Sequence, residues 1–200
     1  MKTEERTQRQ MRSMPVEFRA STEEGQKKIE GYFAVFGDEY ELWPGATESI
    51  DPNAFSDALS DDIRALIDHE TRLVLGRTKA GTLKLGVDTR GLYGSITINE
   101  NDTDATNLYA RTERGDVTQA SFGFEILQEK TDFRNDGSVH WTIEKVKLYE
   151  VSCVTFPAYK DTSIAARKRE YTELRKRQVD DWRNRMKERI VNGSKKNQYS

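Results

Sequence analysis

The sequence predicts an α+β protein, with a mostly antiparallel, β-barrel-like domain, a few surrounding helices and a charged C-terminal helix. The number of strands alone does not distinguish a barrel from a sandwich of two sheets. Three observations predict this class. Short segments of alternating apolar and polar residues recur over residues 15–166, turn-forming residues separate them, and beyond residue 166 charged residues flank an apolar stripe at near-helical spacing. We therefore expect a flexible N-terminal arm over residues 1–14, a folded domain over 15–166 and a helical tail over 167–200.

The first half of the domain is predicted to consist mainly of strands. The alternating segment KKIEGYFAVFGD predicts a strand, and YELWPGATESI predicts an irregular loop. DPNAFSDAL predicts a short helix with Asp51 as its N-cap and Pro52 at its first position. IRALIDHE predicts a short buried strand, and residues 73–98 predict a three-stranded meander with turns at 79–81 and 88–91.

The second half predicts one helix and two strands before the tail. NDTDATNLYARTERGDV predicts a helix that is capped near Asp102 or Thr103 and ended by Gly115. It leads into a strand that carries the octapeptide QASFGFEI, and a turn at RNDGS leads into a long strand over residues 139–156 that Pro157 closes.

The tail is strongly basic and has a narrow apolar stripe. Residues 167–192 contain ten basic and five acidic residues. The stripe consists of Leu174, Val179, Trp182, Met186 and Ile190. This pattern predicts a helix that either packs on the domain or binds a partner.

Composition argues against several classes of protein. One third of the 200 residues are charged, but the net charge is only −2, so a nucleic-acid-binding surface over the whole protein is not expected. No apolar run approaches the ~20 residues of a membrane-spanning helix, and the N-terminal residues lack the apolar core of a signal peptide. A single cysteine, Cys153, precludes an internal disulfide, and we expect a cytoplasmic protein.

Histidine is scarce, which limits the chemistry available to this chain. The two histidines, His69 and His140, together with one cysteine, cannot form a zinc site of the usual Cys/His kind. The segment HETRL begins like a zinc-protease helix, but Leu73 stands where the second histidine is needed. The segment GRTKAGT has glycines at P-loop spacing, but Thr82 stands where the phosphate-binding lysine is needed.

The octapeptide QASFGFEI suggests a nucleophile on a rigid strand. Successive side chains of a strand point to opposite faces, so Phe122 and Phe124 face a core, and Ser121 shares the other face with Gly123. A surface strand with small residues has the same pattern. A serine hydroxyl needs a base, and His69, 52 residues earlier at the end of a short apolar strand, is the candidate.

The third member of such a triad orients the histidine, and the residues leave two candidates for it. Glu150 is a carboxylate within an otherwise apolar strand, although an edge residue facing water would look the same. His140 lies on the same strand, about 33 Å away at the rise of a strand, so the two residues cannot both orient one imidazole without a sharp bend. Cys153 is a weaker candidate nucleophile because its apolar neighbours favour an inert, buried thiol.

Several blocks, in order and spacing, resemble a known family between about Met14 and Arg167. They are GYFAVFGD, ESIDPNAFSDAL, RALIDHE, VLGRTKAGTLKL, GLYGSITI, RGDVTQASFGFEI and LYEVSCVTFPAYKDTSIAAR. With these blocks the chain resembles the prohead maturation proteases of tailed bacteriophages, a family related in fold to the herpesvirus assemblins. The resemblance implies an assemblin-like fold for the predicted domain.

The resemblance also implies a function. It implies a serine endopeptidase inside the immature procapsid, in the host cytoplasm, that removes the scaffold segment of the major capsid protein and clips itself. The implied catalytic residues are Ser121, His69 and Glu150, and Arg77 is a candidate helper at the oxyanion. The implied partners are the capsid protein and a second copy of the chain, as substrate or in a homodimer, with no cofactor, metal, membrane or specific nucleic acid. The alternative is a non-catalytic capsid assembly protein with a protease-like fold.

Overall fold

The computed structural model describes residues 9–14, 18–156 and 161–196. The chain divides into two compact units, Met1–Tyr159 and Lys160–Ser200. The first unit contains eleven strands and one α-helix among its described residues. Their bounds are β1 Gln10–Met14, β2 Arg19–Glu23, β3 Gln26–Val35, β4 Tyr40–Trp43, β5 Ala46–Ile50, β6 Arg64–Ile67, β7 Glu70–Arg77, β8 Leu83–Val87, β9 Gly91–Thr97, α1 Thr103–Arg114, β10 Gln119–Phe133 and β11 Val139–Val154.

The larger sheet has seven strands and is organised by the long antiparallel hairpin of β10 and β11. Strand β1 pairs antiparallel with the outer edge of β10. Strand β11 pairs in parallel with β5 over its first half and with β6 over its second half. The two halves of β11 therefore have different neighbours. Strand β4 pairs with β5, and strand β7 pairs with β6, which completes the sheet.

The smaller sheet is antiparallel, with the order β2-β3-β9-β8. Apolar side chains of both sheets form one core, in which the rings of Phe55 and Phe122 meet edge to face at 5.7 Å. Helix α1 contributes Leu108 to this core. As predicted, Asp102 caps this helix, and Gly115 ends it in the left-handed conformation.

The prediction of a barrel was wrong. Within the described residues the strands form two open sheets, and the outermost strands of each sheet do not pair with one another. The predicted meander over residues 73–98 does contain three strands, but β7 pairs with β6 and β8 pairs with β9. The 3₁₀ turn at Thr78–Ala80 passes the chain from one sheet to the other, because Gly81 takes the left-handed conformation there.

Two local predictions before residue 60 were also wrong. The segment predicted as a loop forms β4 and β5, because Pro44 and Gly45 are the two-residue turn of a hairpin rather than the start of a loop. The segment predicted as a helix makes successive turns and a 3₁₀ helix at Ala58–Ser60. Asp51 accepts a hydrogen bond from the Asn53 N–H at 2.8 Å, which favours a local turn over an α-helix.

The predicted ends of the chain differ from the structure. Of the arm predicted over residues 1–14, Gln10–Met14 are a paired strand, because the outer edge of β10 supplies hydrogen-bonding partners. In the second unit the tail forms helix α2, which spans Asp161–Lys196 and so begins six residues before the predicted boundary. None of the helices among the described residues is long and apolar enough to cross a membrane. Pro157, predicted to close β11, lies outside the described residues.

Candidate active site

His69 lies in the two-residue turn of the β6–β7 hairpin. Ile67 and Glu70 pair across the turn, and both residues between them have positive φ, 47° at Asp68 and 63° at His69. Two-residue hairpin turns of type I′ require positive φ at both central residues. This conformation is unfavourable for residues that have a Cβ, although asparagine and aspartate tolerate it best. The predicted position at the end of a short strand is therefore confirmed, in a turn that fixes the direction of the imidazole.

Asp68 anchors this turn to the end of β11. Its N–H donates to the Cys153 carbonyl at 2.9 Å. Its carboxylate accepts from the N–H of Thr155 at 2.7 Å and from the hydroxyl of the same residue at 3.1 Å. These bonds hold His69 against the strand that carries Glu150.

Glu150 lies in β11 with only 2% of its side chain exposed, and its carboxylate is fully engaged. The Nδ1–H of His69 donates to Oε1 at 2.7 Å, and the hydroxyl of Ser152 donates to Oε2 at 2.6 Å. Arg9 also reaches Oε1, at 2.7 Å. With Nδ1–H bound to this carboxylate, Nε2 is the ring nitrogen that remains available to another partner.

The charge of Glu150 is maintained despite its burial. Burial acts to raise the pKa of this carboxyl, but the hydrogen bond and charge of His69, with hydrogen bonds from Ser152 and Arg9, outweigh it. The net shift of the Glu150 pKa is downward. The group is therefore an ionised carboxylate at neutral pH, as the orienting member of a triad must be.

Ser121 shares a sheet face with Glu150. It pairs with Ser152 across β10 and β11, and Gly123 pairs with Glu150. Directly opposed residues of an antiparallel pair project from the same face, so the serine hydroxyl, the carboxylate and the hydroxyl of Ser152 lie on one side. Ser121 is 0% exposed in this structure, and its Oγ–H donates to the Arg12 carbonyl of β1 at 2.8 Å.

His69 Nε2, the nitrogen that would accept the proton of a serine, is buried and has no hydrogen-bond partner. An unpaired polar atom of this kind requires an explanation, because leaving it without a partner costs free energy. A role as a general base would explain it, because the nitrogen of a base must be able to accept a proton from another group. The arrangement can withdraw a proton from a hydroxyl that is brought to Nε2.

Gly123 provides the space in which the carboxylate lies. A Cβ built at this position would collide with Glu150 Oε1 and would lie 2.7 Å from Arg9 Nε. The carboxylate of Glu150 occupies this space.

The structure separates the rival residues from this cluster. Hydrogen bonds join His140 Nδ1 to Thr47 at 2.7 Å and Nε2 to Ser49 at 2.9 Å, on the half of β11 that pairs with β5. Both ring nitrogens are thus engaged away from His69. Cys153 is 0% exposed, and burial raises the pKa of its thiol, which keeps it protonated and unreactive.

Arg77, the candidate oxyanion helper, is committed to another partner. Its guanidinium donates to both carboxylate oxygens of Asp62, at 2.7 and 2.5 Å. This pairing holds the pKa of Asp62 down to about 2. We therefore assign Arg77 a role in joining β7 to the loop before β6.

Sequence reasoning missed three groups that lie beside the cluster. Ser152 was detectable, because it lies two residues after Glu150 and so points to the same face of the strand. Arg9 and Arg12 were not detectable, because nothing in their local pattern indicates that they reach β10. Across the described residues, no group of three or more His, Cys, Asp and Glu side chains is placed to hold a metal ion.

A serine, a histidine oriented by a buried carboxylate, and a β-sheet scaffold together define a candidate serine hydrolase site, and sequence comparison assigns the family. The chain belongs to the caudovirus prohead serine proteases, whose profile matches residues 14–177. It is therefore a serine peptidase of the capsid maturation class. Strand β1 lies outside the matched region except for Met14.

The comparisons also found individual proteins that resemble the chain. The chain is 28% identical over 166 residues to the prohead protease of Enterobacteria phage HK97, a match that covers 80% of this chain and 69% of that protein. Among solved structures, the capsid assembly protease of bacteriophage T4 matches 74% of this chain and 99% of its own, with 13% identity and a TM-score of 0.44.

Proposed function

We propose that this protein is a serine endopeptidase that matures the procapsid by cleaving the scaffold segment of the major capsid protein and by clipping itself. In this proposal Ser121 is the nucleophile, His69 is the general base and Glu150 orients the histidine. The observation that carries the assignment is the 2.7 Å contact between His69 Nδ1 and the buried Glu150 carboxylate. The place of action is the interior of the immature procapsid in the host cytoplasm.

The acylation step follows from these groups. Ser121 Oγ forms a bond to the scissile carbonyl carbon while its proton passes to His69 Nε2. The ionised Glu150 stabilises the imidazolium that results. The C–N bond then breaks as His69 returns the proton to the leaving amine, which gives an acyl-enzyme and a free amino terminus.

Deacylation repeats the same steps with water. His69 takes a proton from the water as its oxygen attacks the ester carbonyl, and the proton then passes to Ser121 Oγ as the ester bond breaks. The negative oxygen formed in both steps needs preorganised donors, which backbone N–H groups supply in such enzymes. Because Arg77 is held by Asp62, we do not assign it to this role.

Co-expression with the major capsid protein tests the proposal. Mass spectrometry of both proteins' ends should reveal new termini with the unaltered chain and none with Ser121→Ala. Ser95→Ala, on the smaller sheet, is the matched control and should cleave like the unaltered chain. A serine-reactive fluorophosphonate should label the protein at Ser121.

Two results would overturn the assignment. A folded Ser121→Ala variant that still produces the same termini would exclude Ser121 as the nucleophile. Failure of the unaltered chain to label or cleave would favour the alternative, a non-catalytic assembly protein with a protease-like fold.

A further inference from the structure

Strand β1 lies along the outer edge of the nucleophile strand, as a bound peptide does in strand addition. Its five residues pair antiparallel with β10, and Ser13 is directly opposite Ser121. The other edge of β10 is already paired with β11, so the outer edge is the side of the nucleophile strand that can receive an extended peptide.

A buried acidic group receives one side chain of this strand. Arg12 Nε donates to Glu48 Oε1 at 2.6 Å, and a terminal nitrogen of its guanidinium donates to Oε2 at 3.1 Å. Glu48 is 1% exposed and lies in β5, and the guanidinium also lies 5.7 Å from the centre of the Phe124 ring. Two parallel bonds from a planar guanidinium to a carboxylate form the geometry that distinguishes arginine from lysine.

The same residue brings its main chain to the nucleophile. Ser121 Oγ donates to the carbonyl oxygen of Arg12, whereas His69 Nε2 has no partner. The hydroxyl therefore makes no hydrogen bond to His69 Nε2, and it is covered, with 0% of Ser121 exposed. The carbonyl group of Arg12 therefore occupies the place next to the hydroxyl of Ser121.

We propose that the outer edge of β10 is the substrate-binding edge, that Glu48 selects an arginine whose carbonyl lies at Ser121, and that β1 is the chain's own occupant of this edge. The preferred substrates are extended peptides that are cut on the carboxyl side of arginine. The proposal rests on the proposed peptidase function and adds its specificity and its self-inhibition.

Two peptidyl phosphonate probes that differ only in their terminal side chain test the specificity. One carries arginine, and the other carries norleucine, which has a similar apolar stem but no charge. The rate at which each probe labels Ser121 of the full chain is measured by mass spectrometry. We expect faster labelling by the arginine probe.

Glu48→Gln keeps the shape of the side chain and removes its charge. It should lower the ratio of the arginine rate to the norleucine rate by about tenfold or more, because it removes one partner of a buried charge pair. The ratio of the two labelling rates is measured because Glu48→Gln also loosens β1, which changes both rates by the same factor and so leaves their ratio unchanged. Glu41→Gln makes the same charge change at an exposed position of the neighbouring β4 and should leave the ratio unchanged.

Arg12→Gln tests the occupancy of the edge by β1. It removes the anchor in Glu48 but leaves the triad intact, so a small fluorophosphonate without a peptide should label Ser121 several-fold faster than in the unaltered chain. An equal or slower rate would overturn the self-inhibition.

The outcomes separate the two proposals. Labelling of Ser121 by the small fluorophosphonate with no preference for the arginine probe, or with a preference that survives Glu48→Gln, overturns the role of Glu48 and leaves the peptidase assignment standing. Absence of labelling at Ser121 by every probe, in both the unaltered chain and Arg12→Gln, overturns both.

Discussion

Gly123 and Glu150 face each other across the β10–β11 pair, and the carboxylate lies where a side chain at position 123 would begin. The carboxylate thereby reaches His69 from within the sheet and not from a loop. The small residue in the nucleophile strand and the acidic residue in the next strand therefore form one structural unit.

Gly123→Ala should lower kcat by about 10- to 100-fold, because the added Cβ displaces the Glu150 carboxylate and so misorients His69. The measurement is turnover of a peptide substrate by the purified, folded variant. Gly86→Ala is the matched control, since a Cβ there would meet nothing within 4 Å, and its turnover should be unaltered. Equal turnover of the two variants would show that the Glu150 carboxylate does not depend on the space left by Gly123.

The choice between Glu150 and His140 as third member predicts a ranking of two variants. Glu150→Gln should lower kcat by about 10²- to 10⁴-fold, as expected when the group that orients a catalytic histidine loses its charge. His140→Gln should change kcat little, because His140 bonds to Thr47 and Ser49. The reverse ranking in peptide turnover would move the orienting role to His140.

The lowered pKa of Glu150 predicts a dependence of stability on pH. A carboxyl whose folded pKa is depressed stabilises the protein fully above its unfolded value, here near 4.5, and this stabilisation is lost as pH falls through the lower folded value. Urea unfolding of Ser121→Ala, with and without Glu150→Gln, measures it without self-cleavage. The difference between the two free energies of unfolding should shrink from pH 6 to pH 3. A constant or growing difference would contradict the charge assigned to Glu150.

Asp68 should be needed for catalysis although it does not contact the reacting atoms. Asp68→Ala loses both bonds to Thr155 and places alanine at a φ of 47°, so the His69 turn should loosen and kcat should fall by about tenfold or more. Asp68→Asn tolerates the same backbone conformation and can still accept from the Thr155 N–H. It should retain most of the turnover, and similar losses for both variants would show that the charge of Asp68 matters instead.

The exposed apolar side chains of α2 should be needed for incorporation into proheads and not for peptide cleavage. Val179, Trp182 and Met186 are 44%, 56% and 39% exposed, and they recur at spacings that place them on one face of the helix. Replacing all three with serine should leave peptide turnover unchanged and reduce the amount of protease that sediments with assembled proheads.

A second triple variant controls for damage to this helix. Replacing Arg177, Asn184 and Glu188, exposed on the opposite face, with alanine should leave sedimentation with proheads unchanged. Equal loss from both triple variants, or loss of peptide turnover in the first, would contradict a partner-binding face on α2.

The sequence predicts those parts of the fold that depend on local pattern. The caps of α1 and the long strand of Glu150 follow from residue types at fixed offsets, and the structure confirms both. The assignment of strands to sheets is not local. The residues 73–98 do not indicate that the strand ending at Arg77 and the strand beginning at Leu83 belong to different sheets. That division depends on the pairing of β7 with β6 and of β8 with β9.

The site shows the same limit. The sequence singles out Ser121 from the alternation of its neighbours, His69 from its residue type and Glu150 from a charge in an apolar strand, and the catalytic roles of all three stay predictions. The position of Arg12 beside Ser121 was not predictable from the sequence. A short polar segment can pair with any open sheet edge, and its own residues do not indicate which edge that is. The preference for Glu150 over His140 came from resemblance, and the geometric support for it comes from the register of β6 with β11.

The separation of 81 positions between His69 and Glu150 also affects the order of events during translation. At about 5–20 residues per second, a ribosome needs roughly 4–16 s to proceed from the first of these residues to the second. Throughout that interval the histidine has no carboxylate to orient it, and the strand that carries Ser121 lacks its long hairpin partner. With the catalytic roles proposed above, we expect the nascent chain to be inactive as a peptidase until most of the protein has been synthesised.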